Sequence, residues 1–131
     1  MALTSICKTF DFDAAHRLPA LPSDHKCHRL HGHTYRVDVV LVGRPDRHGM
    51  MIDYAEIARL VQPVIDELDH RYLNEIPGLE HPTTEVVAAW FAARLARMDC
   101  NELCAFDRVR VYESATTWAE VRLADLDPSL G

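Results

Sequence analysis

His31-Gly32-His33-Thr34-Tyr35-Arg36-Val37-Asp38-Val39-Val40-Leu41-Val42 reads as a β-strand in which Tyr35, Val37, Val39 and Leu41 share one parity. Residues two apart leave a sheet on the same side, so this parity defines an inward face. His31 and His33 have the same parity and turn the start of that face polar. Gly43-Arg44-Pro45-Asp46 then stops the strand. Upstream, the run from Thr4 to His16 alternates too, with Ile6, Phe10, Phe12 and Ala14 on one face and His16 at its end. Between the two strands, residues 17–30 carry Pro19, Pro22 and Ser23-Asp24, all turn formers. If the strands pair as neighbours they run antiparallel, and His16 then lies beside His31 and His33. Imidazole is the commonest zinc donor, and three protein ligands leave a fourth position for water or substrate. The expectation is a Zn2+ site, although iron, nickel and copper accept the same ligands.

Further along, Asp53-Tyr54-Ala55-Glu56 predicts a capping box opening a helix that buries Ile57, Leu60, Val61, Val64 and Leu68 and ends near Asp69-His70. Pro82-Thr83-Thr84 opens a second helix with the stripe Val87, Trp90, Phe91, Leu95 and Met98. Residues 108–113 and 118–123 complete the pattern as strands, with Val109, Val111 and Glu113 sharing a face. The expected fold is α+β in the order ββααββ. Glu113 reaches the histidines only if its strand points the same way as the first.

Four residues near the histidines invite chemical readings. Cys27 is either a fourth ligand, which closes the site, or a base or nucleophile beside an open one. Lys26, His28 and Arg29 flank it and favour the reactive thiolate. His25 and His28 read as solvated loop residues. Asp69-His70, at a helix C-terminus, is either a cap or a proton shuttle near neutral pH. Glu113 is either a solvated rim carboxylate or an anchor for adjacent N–H donors, such as the edge of a pterin or guanine.

Bulk properties narrow the class. The 131 residues, expected as a single domain over 1–131, are 48% hydrophobic and 26% charged, with a formal charge of -6. That charge argues against nucleic acid as partner. No apolar run approaches the length of a bilayer crossing, and Met1-Ala2-Leu3-Thr4 lacks a signal-peptide pattern, so no membrane partner and a cytoplasmic location are expected. Cys7, Cys27, Cys100 and Cys104 show no disulfide-framework spacing, which suits a reducing compartment. Cys7, Cys100 and Cys104 read as small structural thiols.

The motifs occur in one order: Phe12-Asp13-Ala14-Ala15-His16-Arg17-Leu18, Cys27 to His33, Ile52-Asp53-Tyr54, Leu68-Asp69-His70-Arg71-Tyr72-Leu73-Asn74, Pro82-Thr83-Thr84-Glu85 and Val111-Tyr112-Glu113. Together they resemble the 6-pyruvoyl-tetrahydropterin synthase family, and within it the bacterial 6-carboxy-tetrahydropterin synthases of queuosine biosynthesis. The resemblance implies a tunnelling fold, a four-stranded antiparallel sheet with two helices on one face. It also implies trimers stacked into a homo-hexamer, with sites at subunit interfaces. It makes His16, His31 and His33 the zinc ligands and Cys27 the proton acceptor. Asp69 and His70 would complete a relay with Cys27 from a neighbouring subunit, and Glu113 would anchor the pterin ring and take part in the relay as a catalytic residue. Thr83, Thr84 and Glu85 match a motif near the pterin pocket. The spacing Cys-x-x-x-His-Gly-His resembles the carboxy type, and Cys27 argues against a subgroup with glutamate in this region that releases a folate precursor. The implied activity is a lyase converting 7,8-dihydroneopterin triphosphate to 6-carboxy-5,6,7,8-tetrahydropterin, acetaldehyde and triphosphate. The alternatives are 6-pyruvoyl-tetrahydropterin formation, or a non-catalytic zinc- or pterin-binding module.

Overall fold

The computed structural model describes residues 1–127. Strands β1 (Thr4–His16) and β2 (His31–Gly43) lead into helix α1 (Tyr54–Leu68), the short strand β3 (Arg71–Tyr72), helix α2 (Thr84–Leu95), and strands β4 (Cys104–Tyr112) and β5 (Trp118–Arg122). The sheet order is β3-β1-β2-β4-β5. Four strands are antiparallel neighbours as expected, but the sheet has a fifth strand, and β3 pairs parallel with β1 at Ala14 and Ala15. The expected order ββααββ is thus corrected to ββαβαββ. Two residues are too few for alternation to show, and the pairing follows from where α1 delivers the chain.

β4 also begins four residues before its expected start. Val40 pairs with Arg108 while Leu41 pairs with Phe106, so Asp107 is an extra residue. This bulge switches the inward parity from Cys104 and Phe106 to Val109 and Val111, which hides the strand's first half from a period-two reading. Gly43, at the far end of β2, is obligatory for close approach: a Cβ there would overlap the Leu103 carbonyl and the Cys104 backbone.

Both helices pack on the inward face. Phe10, Phe12, Tyr35, Val37, Val39 and Leu41 join Ile57, Val61, Val64, Leu68, Val87, Phe91 and Leu95 in one core. Phe12 and Tyr35 stack across the strand pair at 4.8 Å between ring centroids. Burying each such side chain contributes about 1.5–3 kcal/mol. Asp53 caps α1 by accepting the Ala55 N–H at 2.8 Å, but the capping box is only half made, because Glu56 pairs with Arg59 instead. Thr83 caps α2 by accepting the Val86 N–H at 3.2 Å. α2 stops at Leu95, so Met98 packs from beyond the helix rather than on its stripe. Among the described residues, no helix is long and apolar enough to cross a membrane.

Candidate active site

The strand register brings the three imidazoles together. His16 stands opposite His31 and Ala14 opposite His33. The rings lie 4.6 to 5.0 Å apart between centroids, with steeply crossed planes. β4 is antiparallel to β2, as β1 is, so it runs in the β1 direction and carries Glu113, one residue past its end, to the same point. One donor atom from each of His16, His31, His33 and Glu113 lies within 4.8 Å of the others.

Two backbone carbonyls set the ring tautomers. His16 Nδ1 is 2.9 Å from the Pro82 oxygen, and His31 Nδ1 is 2.6 Å from the Arg29 oxygen. A carbonyl only accepts, so both Nδ1 atoms carry protons and donate them. The lone pairs are then on the Nε2 atoms, which face each other at 3.0 Å. His33 Nε2 is buried and lacks a hydrogen-bond partner; Glu113 Oε1 is 3.0 Å away but not aligned to bond it. Burial lowers the His33 pKa; the Glu113 carboxylate opposes this, and His16 and His31 add to the lowering. A neutral imidazole is the form that binds metal.

Glu113 adds negative charge to this point. Its Oε1 is 3.2 Å from His16 Nε2, and its Oε2 accepts the Thr84 hydroxyl at 3.0 Å. With a proton on His16 Nε2 in place of a metal, that contact is the largest cause holding the Glu113 carboxyl down to about 2; burial opposes, and Thr84 and the charges of His33 and His16 reinforce. Converging lone pairs, an orphaned buried nitrogen and a carboxylate together form a group that could hold a metal ion. Three imidazole nitrogens, with a further position left open, are a donor set that fits zinc.

Cys27 lies outside this cluster, in a single 3-10 turn, Lys26–His28, with its thiol half-buried. Its backbone is tied down: its N–H donates to His25 Nδ1 at 3.0 Å, and its carbonyl accepts the Leu18 N–H at 2.8 Å. The neighbouring histidines are not simply solvated. His28 bridges the loop, with Nδ1 3.0 Å from the Leu21 carbonyl oxygen and Nε2 3.1 Å from the Arg17 guanidinium. Asn74 clasps the Arg17 backbone from both sides, accepting its N–H at 3.0 Å and donating to its carbonyl at 2.9 Å.

Asp69 and His70 form a second cluster on the other face of the sheet, with Asp13. His70 adopts a left-handed backbone at φ 58°, and its N–H donates to the Asp13 carbonyl at 2.6 Å. Asp69 Oδ1 accepts the Asp13 N–H at 3.0 Å and is 3.0 Å from His70 Nδ1. The Asp13 N–H is the largest cause holding the Asp69 carboxyl below the usual range, followed by His70. Asp13, Gly32, Thr34, His70 and Tyr72 border an open depression of about 590 Å³. Within one chain, neither Asp69 nor His70 joins the metal-ligand cluster.

The remaining expected residues fall at the start of α2. The Thr83 hydroxyl is engaged as the helix cap, Thr84 holds Glu113, and Glu85 sits in the first turn. Sequence reasoning missed Asp13 and Thr34, whose hydroxyl donates to Asp13 Oδ1, and Tyr35, whose hydroxyl is 3.2 Å from His16 Nδ1. Outward parity marks Asp13 and Thr34 as a cross-strand pair, but nothing in the pattern ties them to Asp69.

Comparison with known proteins gives an independent line. The family model for 6-pyruvoyl tetrahydropterin synthase matches residues 5–124. The chain is 35% identical over 127 residues to the 6-carboxy-5,6,7,8-tetrahydropterin synthase of Synechocystis sp., covering 92% of this chain and 97% of that one. It is 31% identical to the protein of the same name from Haemophilus influenzae, covering 88% and 96%. Among solved structures, 6-pyruvoyl tetrahydropterin synthase from Caenorhabditis elegans superposes with a TM-score of 0.82 at 26% identity, covering 93% and 96%.

Proposed function

The chain belongs to the 6-pyruvoyl tetrahydropterin synthase family, and from that premise we propose that it is a zinc-dependent carbon–carbon lyase. The proposed reaction converts 7,8-dihydroneopterin triphosphate to 6-carboxy-5,6,7,8-tetrahydropterin, acetaldehyde and triphosphate, a step toward queuosine. The observation that carries the metal-dependent reading is the pair of carbonyl-locked imidazoles aiming bare Nε2 atoms at each other, 3.0 Å apart. The relatives named 6-carboxy-5,6,7,8-tetrahydropterin synthase support the choice of product.

His16, His31 and His33 are the proposed metal ligands. Bound there, zinc supplies Lewis-acid stabilisation of negative charge developing on substrate oxygens. Glu113, its Oε2 steadied by Thr84, faces the cluster as an anionic acceptor for the N–H edge of the pterin ring. Cys27 Sγ removes a proton from the substrate side chain, and the His70 imidazole returns or relays it, with Asp69 orienting the ring through Nδ1. Since Cys27 and His70 sit apart in one chain, the relay reading places His70 opposite the Cys27 of a neighbouring subunit. The edge strands β3 and β5 have pairing capacity to spare, which supports assembly as a homo-hexamer.

The test is incubation of zinc-loaded protein with 7,8-dihydroneopterin triphosphate and mass identification of the pterin. Acetaldehyde and a 6-carboxy product support the proposal. A retained three-carbon side chain makes it a pyruvoyl enzyme instead, and metal-replete protein that leaves several pterins untouched makes it a binding module. Cys27→Ala separates the two roles of the thiol: zinc content stays at the wild-type level while turnover falls by about 10²–10⁴-fold. Equal loss of zinc would make Cys27 a ligand.

A further inference from the structure

A second group of reactive side chains lies at the opposite end of the sheet from the histidines. Cys100, in the connection after α2, and Cys104, the first residue of β4, line one cavity of about 450 Å³ together with Leu95, Met98, Asn101 and Phe106. A tight turn centred on Asn101 joins the two cysteines. Asn101 Oδ1 accepts the Leu103 N–H at 2.8 Å and the Cys104 N–H at 3.1 Å, and Cys104 Sγ is 3.4 Å from the same oxygen. Burial first, and then the adjoining Cys100 thiol, raises the Cys104 thiol to about 11. The two sulfurs differ in access: Cys100 is half-buried and Cys104 is buried. Neither residue has a part in the pterin chemistry.

We propose that Cys100 and Cys104 form a reversible disulfide, with hydrogen peroxide as oxidant and Cys100 as the sulfur attacked first. In the first step, Cys100 sulfur attacks one peroxide oxygen, the O–O bond breaks, and Cys100 sulfenic acid and water form. In the second, Cys104 loses its proton, its sulfur bonds to Cys100 sulfur, and the S–O bond breaks to release the second water. The two thiols lose two electrons and two protons in total, and one peroxide becomes two waters. The division of roles follows from access: the more open sulfur meets the oxidant, and the buried, protonated one waits for a sulfenic acid beside it. A small thiol reverses the bond by exchange.

The experiment treats the full-length protein with a slight excess of hydrogen peroxide and follows intact mass and peptide maps. The expected result is loss of two hydrogen masses per chain, a peptide linking Cys100 to Cys104, and recovery of both thiols with dithiothreitol. A dimedone probe then fixes the order: Cys104→Ser accumulates labelled Cys100, whereas Cys100→Ser leaves Cys104 unlabelled. The proposal is overturned if both thiols still alkylate after peroxide while oxygen is added at Met98, or if the disulfide joins either residue to Cys7, Cys27 or another chain. The wild-type measurement stands on its own, should either serine variant fold poorly.

Discussion

β1 serves two histidine–carboxylate clusters on opposite faces of one sheet end, and the clusters behave differently. Inward, His16 meets His31, His33 and Glu113, with His16 1% exposed. Outward, three residues earlier, Asp13 meets Asp69 and His70, with His70 77% exposed. Two of the inner rings are locked by carbonyls, and all three converge with Glu113 in a group that could hold a metal ion. The outer imidazole is held through its backbone and a single carboxylate, and its other nitrogen faces solvent. The same residue types therefore give a buried, converging group on one face and an exposed imidazole–carboxylate pair on the other. Burial and the available acceptors make the difference, not composition.

The strongest way to break this contrast is to remove a ring from the inner cluster. His16→Ala should abolish stoichiometric zinc, measured by plasma mass spectrometry, and turnover should fall to background with it. If zinc stays at one per chain, the inner cluster is not the metal site. The next test removes the outer ring. His70→Ala should lower kcat by about 10²–10⁴-fold, the range for a general acid–base group, with zinc content unchanged. A joint loss of zinc would erase the division between the two faces.

The outer cluster also carries a backbone cost that the inner one lacks. His70 is the one non-glycine residue with positive φ among those described. His70→Gly should therefore raise stability by about 1 kcal/mol in denaturant unfolding while losing the same activity as the alanine variant. A fall in stability would mean that the His70 side chain, not its conformation, holds the turn. The smallest expected effect concerns acid. Asp69 is held below its ordinary value of 3.8 in the folded state. A depressed carboxyl contributes stability that is fully present above the unfolded pKa and is lost as pH falls through the folded one. Asp69→Asn should flatten the acid limb of the stability curve below that value by lowering the neutral plateau slightly, with the two curves meeting in acid.

Much of the inner cluster was legible because strand parity is a local rule. Once Tyr35 to Leu41 defined the buried face, His31 and His33 had to share it, and antiparallel pairing carried His16 to them. Parity failed at Asp107, where one extra residue reverses the alternation, and it gave no notice of β3, which is too short to repeat. The capping box at Asp53 misled in its second half, since Glu56 has a guanidinium within reach and takes it. The outer cluster was half legible: Asp69-His70 stands out as a pair at a helix end, yet its partner Asp13 lies 56 residues away. That contact depends on the angle at which α1 returns the chain to the sheet.

The chain's own residues determined which side chains face the core, where the helices begin, and that three imidazoles gather at one sheet end. Hydrophobic periodicity and capping act within a few residues, so the linear order records them. Only the tertiary structure decided the ring tautomers, the arrival of Glu113 among the nitrogens, the left-handed turn at His70, and the meeting of Cys100 with Cys104 in one cavity. Each depends on a carbonyl, a bulge or a chain return supplied by an element elsewhere in the sequence, and a local pattern holds no record of it.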